Sequence, residues 1–219
     1  MNKRSGFTLV ELLITLVVAA VLLAWGVPSF NRFLERTTLT SETNTWVGVI
    51  NHARNEAITR SDRVTVCRSQ NPDACQGDAN CDCGVTEAPG SPPNYHSGYL
   101  IFTSTGNPQA INFRPGLGNE LIRTGRTQTD RITIRGNGQA DNAFSFMPDG
   151  TLDPLNVDSA GVTARHVICT TSDSGDLDAA QNSEASPARV VVISQTGRPR
   201  VDQLGPTTCS GTAADALSE

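Results

Sequence analysis

The sequence predicts an α+β fold, one long N-terminal helix packed on an antiparallel β head, and three observations carry that prediction. An apolar run from Leu12 to Val27, broken only by Thr15 and Gly26, passes without a turn signal into residues at helical spacing as far as Arg60. From Val64 onward the chain changes to short β-branched or aromatic segments separated by Gly, Pro, Asn and Asp. With 219 residues, 37% hydrophobic and 5% aromatic, there is material for one modest core and an elongated helix, while a second large domain would be hard to fit.

The helix comes first. A basic start, Met1-Asn-Lys-Arg-Ser-Gly6, precedes Phe7-Thr-Leu-Val-Glu11 and the apolar run, an order shared by secretory signals and membrane anchors. A secretory signal is cut after its hydrophobic region, but here the helical pattern continues through Pro28, so that cut would behead a continuous helix. At about 1.5 Å per residue a helix from Phe7 to Arg60 would be ~80 Å long, more than a bilayer needs, and the surplus has to pack on protein. Phe30, Phe33, Leu34, Leu39, Trp46, Val47, Val49, Ile50, Ala53, Ala57 and Ile58 supply the apolar positions for that packing.

Glu11 is a lone carboxylate in an otherwise apolar helix, where a charge costs on the order of 2.5–3.5 kcal/mol unless it finds a partner. Cleavage between Gly6 and Phe7 would supply one, a free amine one helical turn away that a neighbouring subunit can offer. Residue for residue, Gly6-Phe7-Thr8-Leu9-Val10-Glu11-Leu12 resembles the class III signal of type IV pilins and type II secretion pseudopilins. The resemblance implies that a prepilin peptidase cuts after Gly6 and N-methylates Phe7, and that Glu11 serves assembly by pairing with the amine of an adjoining subunit. Pro28 matches the helix-kinking proline of many pilins.

The head follows. Strands are predicted at Val64–Cys67, Tyr99–Thr103, Leu121–Arg123, Arg131–Arg135, Phe144–Phe146, His166–Cys169, Arg189–Ser194 and Pro199–Asp202, an antiparallel head of seven or eight strands. Met147-Pro-Asp-Gly150 and Thr196-Gly197 are the clearest turns, the second joining the last two strands as a hairpin. Residues 69–98, rich in Cys, Pro and Gly, and 172–187, acidic and small, read as loops. Phe144-Ser-Phe146-Met-Pro-Asp-Gly150, His166-Val-Ile-Cys169 and Arg189 through Val201 resemble the C-terminal half of the GspH/FimT group of minor pilins and pseudopilins, which implies a type IV pilin-like fold.

The expected organisation is a leader at 1–6, a transmembrane and filament-core helix at 7–28, an amphipathic helix at 29–62 and a periplasmic β-rich head at 63–219. The formal net charge of −5 becomes −7 when Lys3 and Arg4 leave with the leader, 15 basic against 22 acidic residues. That balance argues against a generally basic nucleic-acid binder, so a DNA contact has to come from a local patch. Gly197-Arg198-Pro199-Arg200 is such a patch, because the resemblance associates a Gly-Arg-x-Arg motif with DNA uptake in competence pilins. Two guanidinium groups beyond a tight turn can clamp successive phosphates of extracellular double-stranded DNA without reading bases. Arg114, Arg123, Arg126, Arg131 and Arg135 form a second basic stretch that would widen it. The competing reading makes the Gly-Arg turn a structural hairpin or subunit contact, and Asp202 nearby weakens the phosphate reading.

Six cysteines, Cys67, Cys75, Cys81, Cys83, Cys169 and Cys209, all lie beyond the apolar run, which suits an oxidising periplasm. Paired C-x2-C spacing for zinc is lacking, so disulfides are expected and no metal. Cys67 is expected to pair within the set Cys75, Cys81 and Cys83; the resemblance implies that Cys169 and Cys209 pair to pin the tail. His52, His96 and His166 fall in no catalytic motif and read as surface or packing residues, and no phosphate loop or dinucleotide fingerprint is present. The expectation is a substrate of the prepilin peptidase that partners major and minor pilins or pseudopilins in the inner membrane, needs no cofactor and catalyses nothing itself. It would act in type IV pilus assembly and twitching, with competence DNA binding and H-type pseudopilin service in type II secretion as alternatives.

Overall fold

The computed structural model describes residues 8–69, 72–75, 83, 95, 97–104, 113, 118–127, 132–140, 142–157, 159, 161–170 and 186–207, without the side chains of 25–29, 31, 32, 74, 75, 139, 186, 187 and 204–207. Helix α1 spans Leu9–Arg60 and continues through Pro28. Its start is capped from within the sequence. The N–H of Glu11 donates to Thr8 Oγ1 at 3.2 Å, and Thr8-x-x-Glu11 has the spacing of a capping box. Its end closes on Ser61, which takes a left-handed φ of 52° while its N–H and that of Asp62 bond back to the carbonyls of Ile58 and Ala57. That two-bond closure is a Schellman motif, with serine where glycine is usual.

Two compact units divide the chain, residues 1–38 and 39–219. In the second unit, Leu39, Thr43, Trp46, Ile50, Ala53 and Ala57 are buried. Their alternating spacing of four and three keeps one helical stripe inward, and the two alanines let the sheets approach closely.

Among the described residues eight antiparallel strands form two four-stranded sheets. The first has the order β3 (Leu121–Gly125), β2 (Tyr99–Thr103), β1 (Val64–Arg68), β5 (Ala143–Phe146). The second has the order β4 (Ile132–Gly136), β6 (Arg165–Thr170), β7 (Ser186–Ile193), β8 (Pro199–Thr207). Every strand read from the sequence is present, with ends that differ by a few residues; β7 and β8 differ most. One core joins α1 to the inner faces of both sheets through Val64, Val66, Ile101, Phe144 and Phe146 from the first and Ile132, Ile134, Ile168, Val191 and Ile193 from the second. Outside the first sheet, Cys67 and Cys83 are joined, with Cα atoms 5.5 Å apart, and pack with Leu100, Phe102 and Phe113. Closing a loop of this size stabilises by about 3 kcal/mol in the chain-entropy account.

The free edge of β5 is closed by side chains. Asn156 accepts from the Ser145 N–H at 3.0 Å and donates to the Ala143 carbonyl at 3.1 Å, so one amide stands in for a neighbouring strand. Beside it Arg63 and Asp153 form an ion pair with side chains only 11% and 5% exposed. Burial lowers the pKa of Arg63 against the upward pull of Asp153.

Candidate functional site

The N-terminal candidates lie in the first unit. Gly6 and Phe7 fall outside the described residues, and the description begins at Thr8. Eleven large apolar side chains from Leu9 to Leu23 are each 53–77% exposed. Glu11 stands among them with its N–H on Thr8, and its carboxylate has no ion-pair partner among the described residues. Among the described residues no helix is long and apolar enough to cross a membrane; the described apolar side chains stop at Ala24, short of the end of the sequence run at Val27. An apolar helix surface of this extent is stable only against lipid or other protein.

The C-terminal candidate lies in the second unit, at the β7–β8 hairpin. The Gly197 N–H donates to the Ser194 carbonyl at 2.8 Å and the Ser194 N–H to the Arg198 carbonyl at 3.0 Å, closing the turn. Gly197 has φ 75° and is buried. A Cβ there would run into the carbonyl oxygen of Gly150 and sit 3.0 Å from Arg54 Nε. Gly150 also has a left-handed φ, 78°, and its carbonyl accepts from Arg54 Nε at 2.9 Å. The Leu152 N–H donates to the Gln195 carbonyl at 3.0 Å, a second tie between the turns. The glycine of the Gly-Arg motif therefore seats one hairpin on another turn and on α1. Arg198 and Arg200 project from this fixed base, both exposed. Arg200 spends its charge on Asp202 at 2.7 Å, the next residue on the same face of β8.

Several expectations change in the light of these positions. Pro199 opens β8, where the predicted strand Pro199–Asp202 also begins; at an edge strand its missing N–H costs no ladder bond. Among the described residues the second basic stretch is not seen to widen the patch. Arg123 belongs to the first sheet, and Arg126 pairs with Asp73 at 2.7 Å. Arg135 is 1% exposed on β4, the far edge of the second sheet from β8. Arg114 and Arg131 lie outside the described residues. Sequence spacing misleads here because a hairpin-rich chain sends neighbouring segments to different sheets.

Cys67 pairs with Cys83, one of the three loop cysteines expected. Cys169 is disulfide-bonded as well. Its partner is not among the described side chains, and neither are Cys75, Cys81 and Cys209. His166 is a core residue, His52 is half-buried on α1, and His96 lies outside the described residues. Arg54 and the Arg63–Asp153 pair were not singled out from the sequence, and Gly150 was read only as part of a turn. Arg54 meets Gly150 across 96 residues, a separation at which no local pattern signals contact.

Comparison with known proteins follows the same division. The family model described as type II transport protein GspH matches residues 42–197, most of the chain and nearly all of the described head. The chain belongs to the GspH family. A second model, the prokaryotic N-terminal methylation motif, matches residues 1–27. Prepilin peptidase-dependent protein D of Escherichia coli K12 is 38% identical over 47 residues, 22% of this chain and about a third (32%) of that protein's length. Two crystal forms of the type IV minor pilin FimU from Pseudomonas aeruginosa are similar in structure. They have TM-scores of 0.49 and 0.43 and identities of 17% and 15%, over 81% and 78% of this chain and 98% of theirs. The two models together mark a chain of the pilin-like GspH family that opens on an N-terminal methylation motif.

Proposed function

We propose that this GspH-family chain is a minor pilin or pseudopilin that is clipped after Gly6, N-methylated on Phe7, held in the inner membrane by residues 7–28 and drawn from there into a type IV pilus. Residues 29–62 and the head at 63–219 face the periplasm, and the subunit helps to initiate assembly near the filament tip. Its work is mechanical: it is a substrate of the prepilin peptidase, and assembly asks no chemistry of it. The observation that carries this reading is Glu11, an acid without an ion-pair partner among the described residues, on a helix whose apolar side chains are open to a partner. An adjoining Phe7 amine neutralises that acid in the filament, and the lost desolvation cost helps to select correctly stacked subunits.

Complementation of a deletion strain tests it. The wild-type chain is expected to restore twitching while secretion stays unchanged throughout. Glu11→Ala is expected to be processed and membrane-inserted, yet recovered in sheared filaments at a level lower by roughly tenfold or more, since about 1.4 kcal/mol is a factor of ten. Incorporation of Glu11→Ala at the wild-type level would contradict the role of the pair. Loss of secretion instead of twitching in the deletion strain would favour the H-type pseudopilin reading, which the family description supports.

DNA uptake is a second reading, favoured by one observation, the exposure of Arg198 and Arg200 beyond a rigid turn. The Arg200–Asp202 pair and the net negative charge count against it. In gel shifts of residues 39–219 with duplex DNA, this reading expects Arg198→Ala plus Arg200→Ala to weaken binding and to flatten its salt dependence. Equal binding by wild type and variant, or none by either, removes it.

A further inference from the structure

His166 is 0% exposed, and neither of its ring nitrogens has a hydrogen-bond partner among the described residues. Three aromatic side chains from three parts of the chain enclose it. Trp46 comes from α1, Tyr95 from the segment before β2 and Phe144 from β5, with ring centroids 5.2, 5.1 and 4.9 Å from the imidazole. Tyr95 is fixed in turn, its hydroxyl donating to the Ala140 carbonyl at 2.6 Å. The cage thus sits where α1 meets both sheets, and Trp46 Nε1 within it also lacks a partner among the described residues.

A neutral imidazole can occupy such a site at the cost of two unmade hydrogen bonds, whereas an imidazolium would be a buried charge with no acceptor among the described residues. The charged groups of the surrounding elements do not compensate. On α1, Glu42 lies one turn before Trp46 but acts on Tyr99, and Arg54 is engaged with Gly150. On β7, Arg189 donates to Thr40 at 3.0 Å and would repel a second cation. Arg135 and Arg165 neighbour the His166–Gly136 pair along β4 and β6, so strand alternation turns them to the opposite face. Tyr95 is uncharged. Aromatic faces attract cations, but here they would have to replace all of the lost hydration.

We propose that His166 is an acid-sensitive lock between α1 and the two sheets: it can take up a proton only when the Trp46–Tyr95–Phe144 cage opens, so acidification undocks the C-terminal half of α1 from the head. Burial is the cause that moves the imidazole from its ordinary 6.5 down to about 3. Well above pH 6.5 the group is neutral in folded and unfolded chains and adds no pH dependence. As the pH falls below 6.5 the unfolded chain binds a proton that the folded chain refuses. Stability is therefore lost down to about pH 3, by about tenfold in the folded-to-unfolded ratio per pH unit.

The test is urea unfolding of the full chain in detergent at pH 6.5 and 4.5, followed by near-ultraviolet circular dichroism, wild type against His166→Met. Carboxylates titrate in both proteins. The lock adds to the wild type alone a fall of about 50-fold in the folded-to-unfolded ratio across those two pH units, because the unfolded imidazole is already half protonated at 6.5. Equal pH dependence in the two proteins overturns the proposal. If His166→Met does not fold, a histidine-labelled NMR titration of the wild type decides. A His166 ring that stays neutral until the folded signal is lost upholds the lock, and a ring that titrates near 6.5 in the folded protein overturns it.

Discussion

Asp153→Ala is expected to lower the stability of the head by about 3–5 kcal/mol, because it leaves the Arg63 guanidinium buried without its counter-ion. The pair is enclosed, and Nε and Nη1 of Arg63 have no hydrogen-bond partner among the described residues, so Asp153 supplies the guanidinium's ion pair. Asp153 does more than pair. Its Oδ1 accepts from the Leu155 N–H at 2.9 Å, which caps the 3₁₀ turn Pro154–Asn156. Its own N–H donates to the Ser145 carbonyl at 2.9 Å. That turn places Asn156 on the edge of β5, so the aspartate holds together the joint between the end of α1, β1 and β5. Urea unfolding monitors the loss. Removing both charges, as Arg63→Met with Asp153→Leu, is expected to recover much of it, since a matched apolar pair can replace a buried ion pair at little cost. A drop below about 1 kcal/mol for Asp153→Ala would show that solvent reaches the pair.

Gly197→Ala is expected to cost about 2–5 kcal/mol, from the left-handed φ that a Cβ disfavours and from overpacking against a neighbour that cannot rotate away. The obstacle is the Gly150 carbonyl, backbone that is already held by Arg54. Arg198→Ala, by contrast, removes only an exposed side chain and is expected to change stability by less than about 0.5 kcal/mol. The contrast separates the two halves of the motif: glycine serves the fold, and any recognition falls to the arginines. Comparable losses for the two variants would contradict that division.

The change from helical spacing to short segments was legible, and so were the eight strands, because each is short, rich in β-branched or aromatic residues and fenced by turn residues. The helical pattern was legible to about Arg60, where α1 ends on a left-handed Ser61 and not on glycine, while the expected helix bound at 62 falls two residues beyond it. The apolar positions Phe30, Phe33 and Leu34 continued the helical pattern but are 59%, 62% and 45% exposed, and burial against the sheets begins only at Leu39. Periodicity marks which face is apolar; it does not say what covers that face.

At the candidate site, the Gly197 turn was visible as a turn because glycine is the residue for a positive φ. Its docking on Gly150 and Arg54 was not visible, since three segments far apart in sequence meet there. The division of strands into two sheets was hidden for the same reason, and with it the dispersal of the arginines. His166 read as a surface or packing residue from the absence of any partner motif, and it is a packing residue. That it would be wholly enclosed by aromatic rings depended on Trp46, Tyr95 and Phe144 converging from across the fold.

The N-terminus asks for a different kind of measurement, because the proposed chemistry there is covalent. If Glu11 is tolerated in an apolar helix through a neighbour's amine, the chain has to lose six residues and expose Phe7. Mass spectrometry of the N-terminal peptide, taken from the protein purified out of its native host, tests this directly. The account predicts a peptide that begins at Phe7 and carries one methyl group on its amine. A chain that still starts at Met1, or one that starts beyond the apolar run at Val27, would contradict it.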